Sequence, residues 1–116
     1  MAASTYDILI EQGATFMLSA IWRDAGGSPI DLTGYTARMQ VRQKVTSANA
    51  ELSLTSQAGD ITLGDEAGTI VVLVSAGDTA ALSIRRGVYD LELESTSGVV
   101  TRLLEGVVTV SPEVTR

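Results

Sequence analysis

Apolar and polar residues alternate along much of this chain. Tyr35, Ala37, Met39 and Val41 are interleaved with Thr36, Arg38, Gln40 and Arg42. Successive side chains of an extended strand point to opposite faces, so this spacing predicts a strand with one apolar and one polar face. After Gly87 the pattern returns, with Tyr89, Leu91 and Leu93 opposing Asp90, Glu92 and Glu94. Near the start, Tyr6, Ile8 and Ile10 alternate with Asp7, Leu9 and Glu11. Beyond Gly13, Phe16, Leu18, Ala20 and Trp22 share one face.

Shorter strands are predicted around Leu52–Leu54 and Ile61–Leu63. Ile70 to Val74 is an unbroken apolar run, which predicts a strand covered on both faces. Val99 to Val110 is the last long strand, with a bend expected at Gly106 and an end at Pro112. Ser75-Ala76-Gly77-Asp78 resembles a helix N-cap, so at most one short helix is expected, near 76–83. Turns are marked by Asp24–Pro29, Gln57–Asp60, Gly64–Gly68 and Ser95–Gly98. Seven to nine strands with turns every eight to twelve residues predict an all-β antiparallel sandwich, with a barrel as the alternative.

Length and composition narrow the classes further. The 116 residues fit one domain, with short tails at 1–5 and 112–116. A hydrophobic content of 45% against 19% charged residues is that of a chain able to fill a core. The absence of cysteine removes disulfides, thiolate nucleophiles and Cys-ligated metal. The absence of histidine removes the commonest general base and metal ligand. A net charge of −6 opposes binding to nucleic acid and to anionic membranes. No apolar run reaches the ~20 residues of a membrane-spanning helix. The start lacks the basic region of a secretory signal, so synthesis and use without export are expected.

The candidate chemistry is sparse. Asp90, Glu92 and Glu94 share a strand face, with Glu105 expected on the neighbouring strand. A carboxylate hydrolase would need such a pair facing a cleft. Arg38 and Arg42, extended by Lys44, form a basic strand face, and Arg85 and Arg86 a second basic pair. The first is expected to pair with a carboxylate surface of the same sheet or of a neighbouring subunit, and both are expected to have intramolecular or solvated roles, with a protein interface as the alternative. Asp60, Asp65 and Glu66 lack the ligand spacing of a calcium loop. Trp22 runs in phase with Phe16 and Leu18, which reads as core packing. A glycan-binding module would instead need Trp22 and Tyr35 exposed as a stacking platform. Gly87 and Tyr89 follow a leucine within a few residues, the pattern of a tyrosine corner. The ring is expected to pack under the sandwich edge, with its hydroxyl bonded to backbone near Asp78–Ala81.

The order of these features resembles a known family. The motifs are Gly-Ala-Thr-Phe-x-Leu, then Asp24 to Tyr35 (Asp-x-x-Gly-x-Pro-Ile-Asp-Leu-Thr-Gly-Tyr), and an Arg-Met-Gln-Val-Arg strand. Gly-Asp-Ile-Thr-Leu-Gly, Gly-Thr-Ile-Val-Val, Leu-Ser-Ile-Arg-Arg-Gly-Val-Tyr-Asp-Leu-Glu-Leu and Arg-Leu-Leu-Glu-Gly-Val-Val-Thr-Val follow. The chain is similar to the small Ig-like β-sandwich structural proteins of tailed bacteriophages, including the N-terminal domain of siphophage upper baseplate proteins. The resemblance implies a virion structural protein made in the host cytoplasm, in the tail, baseplate or fibre attachment. It would act by multivalent docking in many symmetric copies. Capsid decoration or a head–tail connector is the alternative within that class. No enzyme activity, metal, cofactor, small-molecule substrate, nucleic acid or membrane is expected. The expected contacts are Tyr6 and Ile8, which would add a strand to a neighbour's sheet. Arg38 and Arg42 would meet Asp90, Glu92 and Glu94 head to tail between copies.

Overall fold

The computed structural model of the protein describes residues 3–116. Its strands are β1 (Ser4–Thr5), β2 (Ile8–Glu11), β3 (Phe16–Ile21), β4 (Thr36–Arg42), β5 (Leu52–Thr55), β6 (Ile61–Leu63), β7 (Thr69–Val74), β8 (Arg86–Glu94) and β9 (Val100–Ser111). A short helix, α1 (Ala76–Ala80), follows β7. Ser75 caps it by accepting a hydrogen bond from the Asp78 N–H, as the sequence predicts.

The larger sheet runs β1-β9-β8-β4-β5, with β2 also on β9. The smaller runs β3-β7-β6. Pairing is antiparallel throughout, except that β1 and β2 lie parallel to β9. Strands 9-8-4-5 facing strands 3-7-6 reproduce the G-F-C-C′ and B-E-D sheets of the immunoglobulin fold. The fold is thus an Ig-like antiparallel β-sandwich.

Alternation decides what fills the space between the sheets. Ala37, Met39 and Val41 of β4, Tyr89, Leu91 and Leu93 of β8, and Ile8, Ile10, Val108 and Val110 of β2 and β9 supply one side. Leu18, Ile61, Ile70, Val72 and Val74 supply the other. The run Ile70–Val74 departs from its prediction. Ile70, Val72 and Val74 point inward, but Leu73 is 46% exposed. The apolar run suits a doubly covered strand, but a two-layer sandwich offers no third layer to cover the outer side.

The expected bend at Gly106 also falls elsewhere. Leu91 pairs with Leu104 and Glu92 with Arg102, so the extra residue in β9 is Leu103. Gly106 serves the first strand instead. A Cβ there would collide with the Tyr6 carbonyl. Tyr89 lies directly opposite Gly106, and its hydroxyl donates to that same carbonyl at 2.5 Å. Beside it, the Tyr6 N–H donates to the Glu105 carbonyl at 2.8 Å, and the Val107 N–H donates to Asp7 Oδ1 at 2.9 Å. These bonds bridge the break between β1 and β2. Tyr89 is therefore a buried structural anchor, but its partner is Tyr6 and not the expected Asp78–Ala81 backbone. The ring lies in the middle of β8, beside β9 and the first strand. Gly87 has its own steric reason, since a Cβ there would sit 2.5 Å from the Arg42 carbonyl.

This pairing bears on two further expectations. Ile8 is 6% exposed and its side chain belongs to the core, and the segment from Ser4 to Glu11 pairs with β9 along one edge. Its other edge has no partner strand among the described residues. Of the expected 1–5 tail, Met1 and Ala2 lie outside the described residues, while Ser4 and Thr5 pair with Leu104 and Glu105.

A polar clasp closes one end of the sandwich. Thr79 of α1 is fully buried. Its hydroxyl accepts from the Gly13 N–H at 3.0 Å and donates to the Ala14 carbonyl at 2.8 Å. The Gln12 amide donates to the Leu82 carbonyl at 3.0 Å and accepts from the Glu113 N–H at 3.1 Å. The turn before β3, the helix and the C-terminal segment are thereby joined. Thr79→Val keeps the shape but orphans a backbone donor. It should lower unfolding stability by about 1–3 kcal/mol in a denaturant titration, with Thr79→Ser restoring most of the loss.

Burial, reinforced by Tyr6 and Asp7 nearby, pushes the Tyr89 phenol up to about 12. An unfolded tyrosine titrates near pH ~10. The anchored, protonated phenol therefore contributes stability fully below pH ~10 and loses it as pH rises toward 12. Tyr89→Phe should lack that alkaline step in chemical unfolding. At neutral pH it should cost about 1 kcal/mol and speed amide hydrogen exchange over residues 4–11.

Candidate functional site

The outward residues of the larger sheet gather the charged side chains singled out above. Register places Arg38 between Thr55 and Glu92, with Arg102 beyond Glu92. The next row holds Ser53, Gln40, Asp90, Glu105 and Thr5. Arg38 Nε lies 2.9 Å from Glu92 Oε1, and its Nη1 lies 3.1 Å from Glu94 Oε1. Arg102 lies between two carboxylates, 3.5 Å from Asp90 Oδ2 and 3.2 Å from Glu105 Oε1. The structure thus brings Arg38, Asp90, Glu92 and Glu94 together within one copy, where they bind one another. The expectation that the two charge sets meet between copies is not needed to satisfy them.

Arg42 does something else. It donates to the Ser47 carbonyl at 3.0 Å and to Gln40 Oε1 at 2.9 Å, pinning the loop between β4 and β5 against the sheet end. Arg42 also lines an open depression of about 410 Å³, together with Val45, Val107, Arg102 and the carboxylates Asp90 and Glu105. Asp90 and Glu105 are directly opposed like charges, an arrangement that is unfavourable without a cation between them. Partial burial, then the Glu92 and Glu105 charges, hold Asp90 above its usual carboxylate range. Arg102 and Arg38 pull the other way. Each of the four carboxylates has an arginine, and they lie on an open sheet face. Two arginines against four carboxylates leave this cluster with a net charge of −2, with every carboxylate in ion-pair range of an arginine.

The other candidates fall into structural places. Trp22 and Tyr35 are half-buried against the core and meet edge to face, with ring centroids 6.2 Å apart. They are packed into the sandwich and are not an exposed stacking platform. Asp60 Oδ2 accepts from the Thr55 N–H within a turn. No cluster of three metal-ligating side chains occurs among the described residues. Tyr6 is 53% exposed at the sheet edge.

Sequence reasoning missed the outer face of the smaller sheet. Met17 and Leu73 pair across β3 and β7, and Ser19 pairs with Val71, which in turn pairs with Thr62. Ile21 pairs with Thr69. Met17 is 62% exposed, Leu73 opposite it 46% and Ile21 49%, with the Ser19–Val71 row between the Met17 and Ile21 rows. The available signal was the apolar residues Met17 and Ile21 on the polar side of an otherwise alternating strand, beside the unbroken Ile70–Val74 run.

No protein-family model matches the chain, and no curated protein matches it in sequence. Among solved structures, it is similar to the extracellular domain of the voltage-gated sodium channel β4 subunit. That domain is described through parallel homodimers that explain its role in cell–cell adhesion. The two share 11% identity and a TM-score of 0.49 over 98% of this chain and 97% of that one. The fold assignment rests on strand order and register, as given above.

Arg102→Gln should leave Asp90 facing Glu105 without a counter-charge. Carboxyl NMR titration should then show Asp90 protonating at still higher pH than in the parent protein. An unchanged titration would mean that Arg102 is not the group restraining it.

Proposed function

We propose that the protein is a non-enzymatic structural module that works by docking onto other proteins through its smaller sheet. We place it where its sequence motifs point, among the structural proteins of tailed-bacteriophage virions, in the tail, baseplate or fibre attachment. The observation that carries the docking reading is the uncovered apolar patch of Met17, Ile21 and Leu73. An apolar sheet face that its own fold leaves in water is stabilised when a partner covers it. The opposite face supports the same choice by contrast, since each of its four carboxylates already has an arginine of the same sheet in ion-pair range. Exposed, screened ion pairs of that kind contribute little attraction to a partner.

The test compares the two faces. Leu73→Glu puts a charge beside Met17 in the apolar patch without touching the core. The double variant Arg38→Ala/Glu92→Ala changes the charged face. In a complementation assay of particle assembly, Leu73→Glu should enter particles roughly tenfold less than the parent while keeping its circular dichroism spectrum. The double variant should enter normally. Normal incorporation of Leu73→Glu, or no association of the parent protein with particles, would overturn the reading.

A further inference from the structure

β3 ends the smaller sheet, and no described strand pairs with its outer edge. The ladder shows which of its backbone groups are free. Trp22 N–H donates to the Gly68 carbonyl, while the Leu73 N–H donates to the Asp60 carbonyl and the Gly64 N–H to the Thr69 carbonyl. Even-numbered residues of β7 therefore bond to β3 and odd-numbered ones to β6. Since bonding alternates along an antiparallel strand, the N–H and C=O groups of Met17, Ser19 and Ile21 point away from β7. They have no hydrogen-bond partner elsewhere among the described residues. From Ala14 to Trp22 the chain carries no charge and no proline, two of the devices that normally blunt an exposed edge.

We propose that β3 pairs antiparallel with β3 of a second copy about a two-fold axis at Ser19, fusing two three-stranded sheets into one of six strands. This deepens the docking reading of the smaller sheet, on which it rests: the pair joins the outer faces of two copies into one longer apolar strip for a partner to cover. The edge is self-complementary in that register. Met17 of each copy falls opposite Ile21 of the other, so the strip Leu73–Met17 continues into Ile21–Thr69 of the second copy. Charge follows the same symmetry. Arg23, beyond the C-terminal end of β3, donates only to the Gly27 carbonyl and has no carboxylate in ion-pair range. The Glu113 carboxylate, with no cation in ion-pair range among the described residues, lies over Gly13 at the strand's other end. A two-fold axis brings the Arg23 end of each copy toward the Glu113 end of the other. Asp90, Glu92, Glu94 and Glu105 lie on the opposite sheet, away from the axis.

The chain has no cysteine, so a single introduced one can bridge only between copies. Hydrogen-bonded pairs across an antiparallel ladder have Cα atoms about 5.5 Å apart, within disulfide reach. Under mild oxidation Ser19→Cys should give a covalent dimer. Thr62→Cys, exposed on the far edge of the same face, should stay largely monomeric. In sedimentation equilibrium the parent protein should show a reversible dimer, weakened roughly tenfold or more by Met17→Lys. A monomeric parent whose Ser19→Cys variant cross-links no faster than Thr62→Cys overturns the strand pair. If Leu73→Glu still fails to enter particles in that case, the docking reading stands and the partner covers the patch of a single copy. A Ser19-specific dimer whose Leu73→Glu variant enters particles normally supports the strand pair and overturns the docking reading.

Discussion

A sandwich of two sheets can cover only one face of each. Every strand here lies under that constraint, because side chains at even and odd positions go to opposite faces. The inner faces are resolved by the core of Ile, Leu, Val and Met side chains. The outer faces are resolved in two different ways. The larger sheet uses charge, with arginines and carboxylates interleaved across β4, β8 and β9 so that repulsion between Asp90 and Glu105 is offset in place. The smaller sheet leaves Met17, Ile21 and Leu73 in water. The asymmetry between the two surfaces follows from the same two-layer geometry, and it separates a face that is chemically finished from one that is not.

The N-terminal strand depends on a second, more local requirement. It must lie parallel to β9 although it is interrupted at Tyr6 and Asp7. A side chain at position 106 would fill the place where the chain crosses, so glycine there lets the backbone approach. The gap this leaves opposite β8 is filled by the Tyr89 ring, whose hydroxyl secures the Tyr6 carbonyl. Small residue, large residue and carbonyl form one unit, which explains why a tyrosine with no chemical partner in the sequence is buried.

Much of the fold was legible because alternation is a local signal. The faces of β4 and β8, the Ser75 cap and the β7–α1 boundary all follow from residues within a few positions of one another. What was not legible depends on distant pairing. Nothing near Tyr89 indicates that its acceptor lies at Tyr6, and nothing near Thr79 indicates that it will hold the Gly13–Ala14 turn. For the charged face, the sequence supplied the right residues, while the register showed that Arg38 meets Glu92 and Glu94 in the same molecule. The Ile70–Val74 run misled because composition reports apolarity but not how many layers are available to cover it.

The pairing of β2 with β9 carries a consequence for how the chain reaches this structure. Ile8 meets Val108, so the first long strand and the last are neighbours at one sheet edge. As the chain leaves the ribosome, β2 emerges with its buried residues Ile8 and Ile10 long before β9 exists to receive them. Contacts of such large sequence separation form late and slowly. During synthesis the first strand is thus an unpaired apolar segment, and its docking coincides with completion of the sheet. The Tyr89 hydroxyl can reach the Tyr6 carbonyl only once that strand lies on β9, so this bond depends on the same long-range pairing.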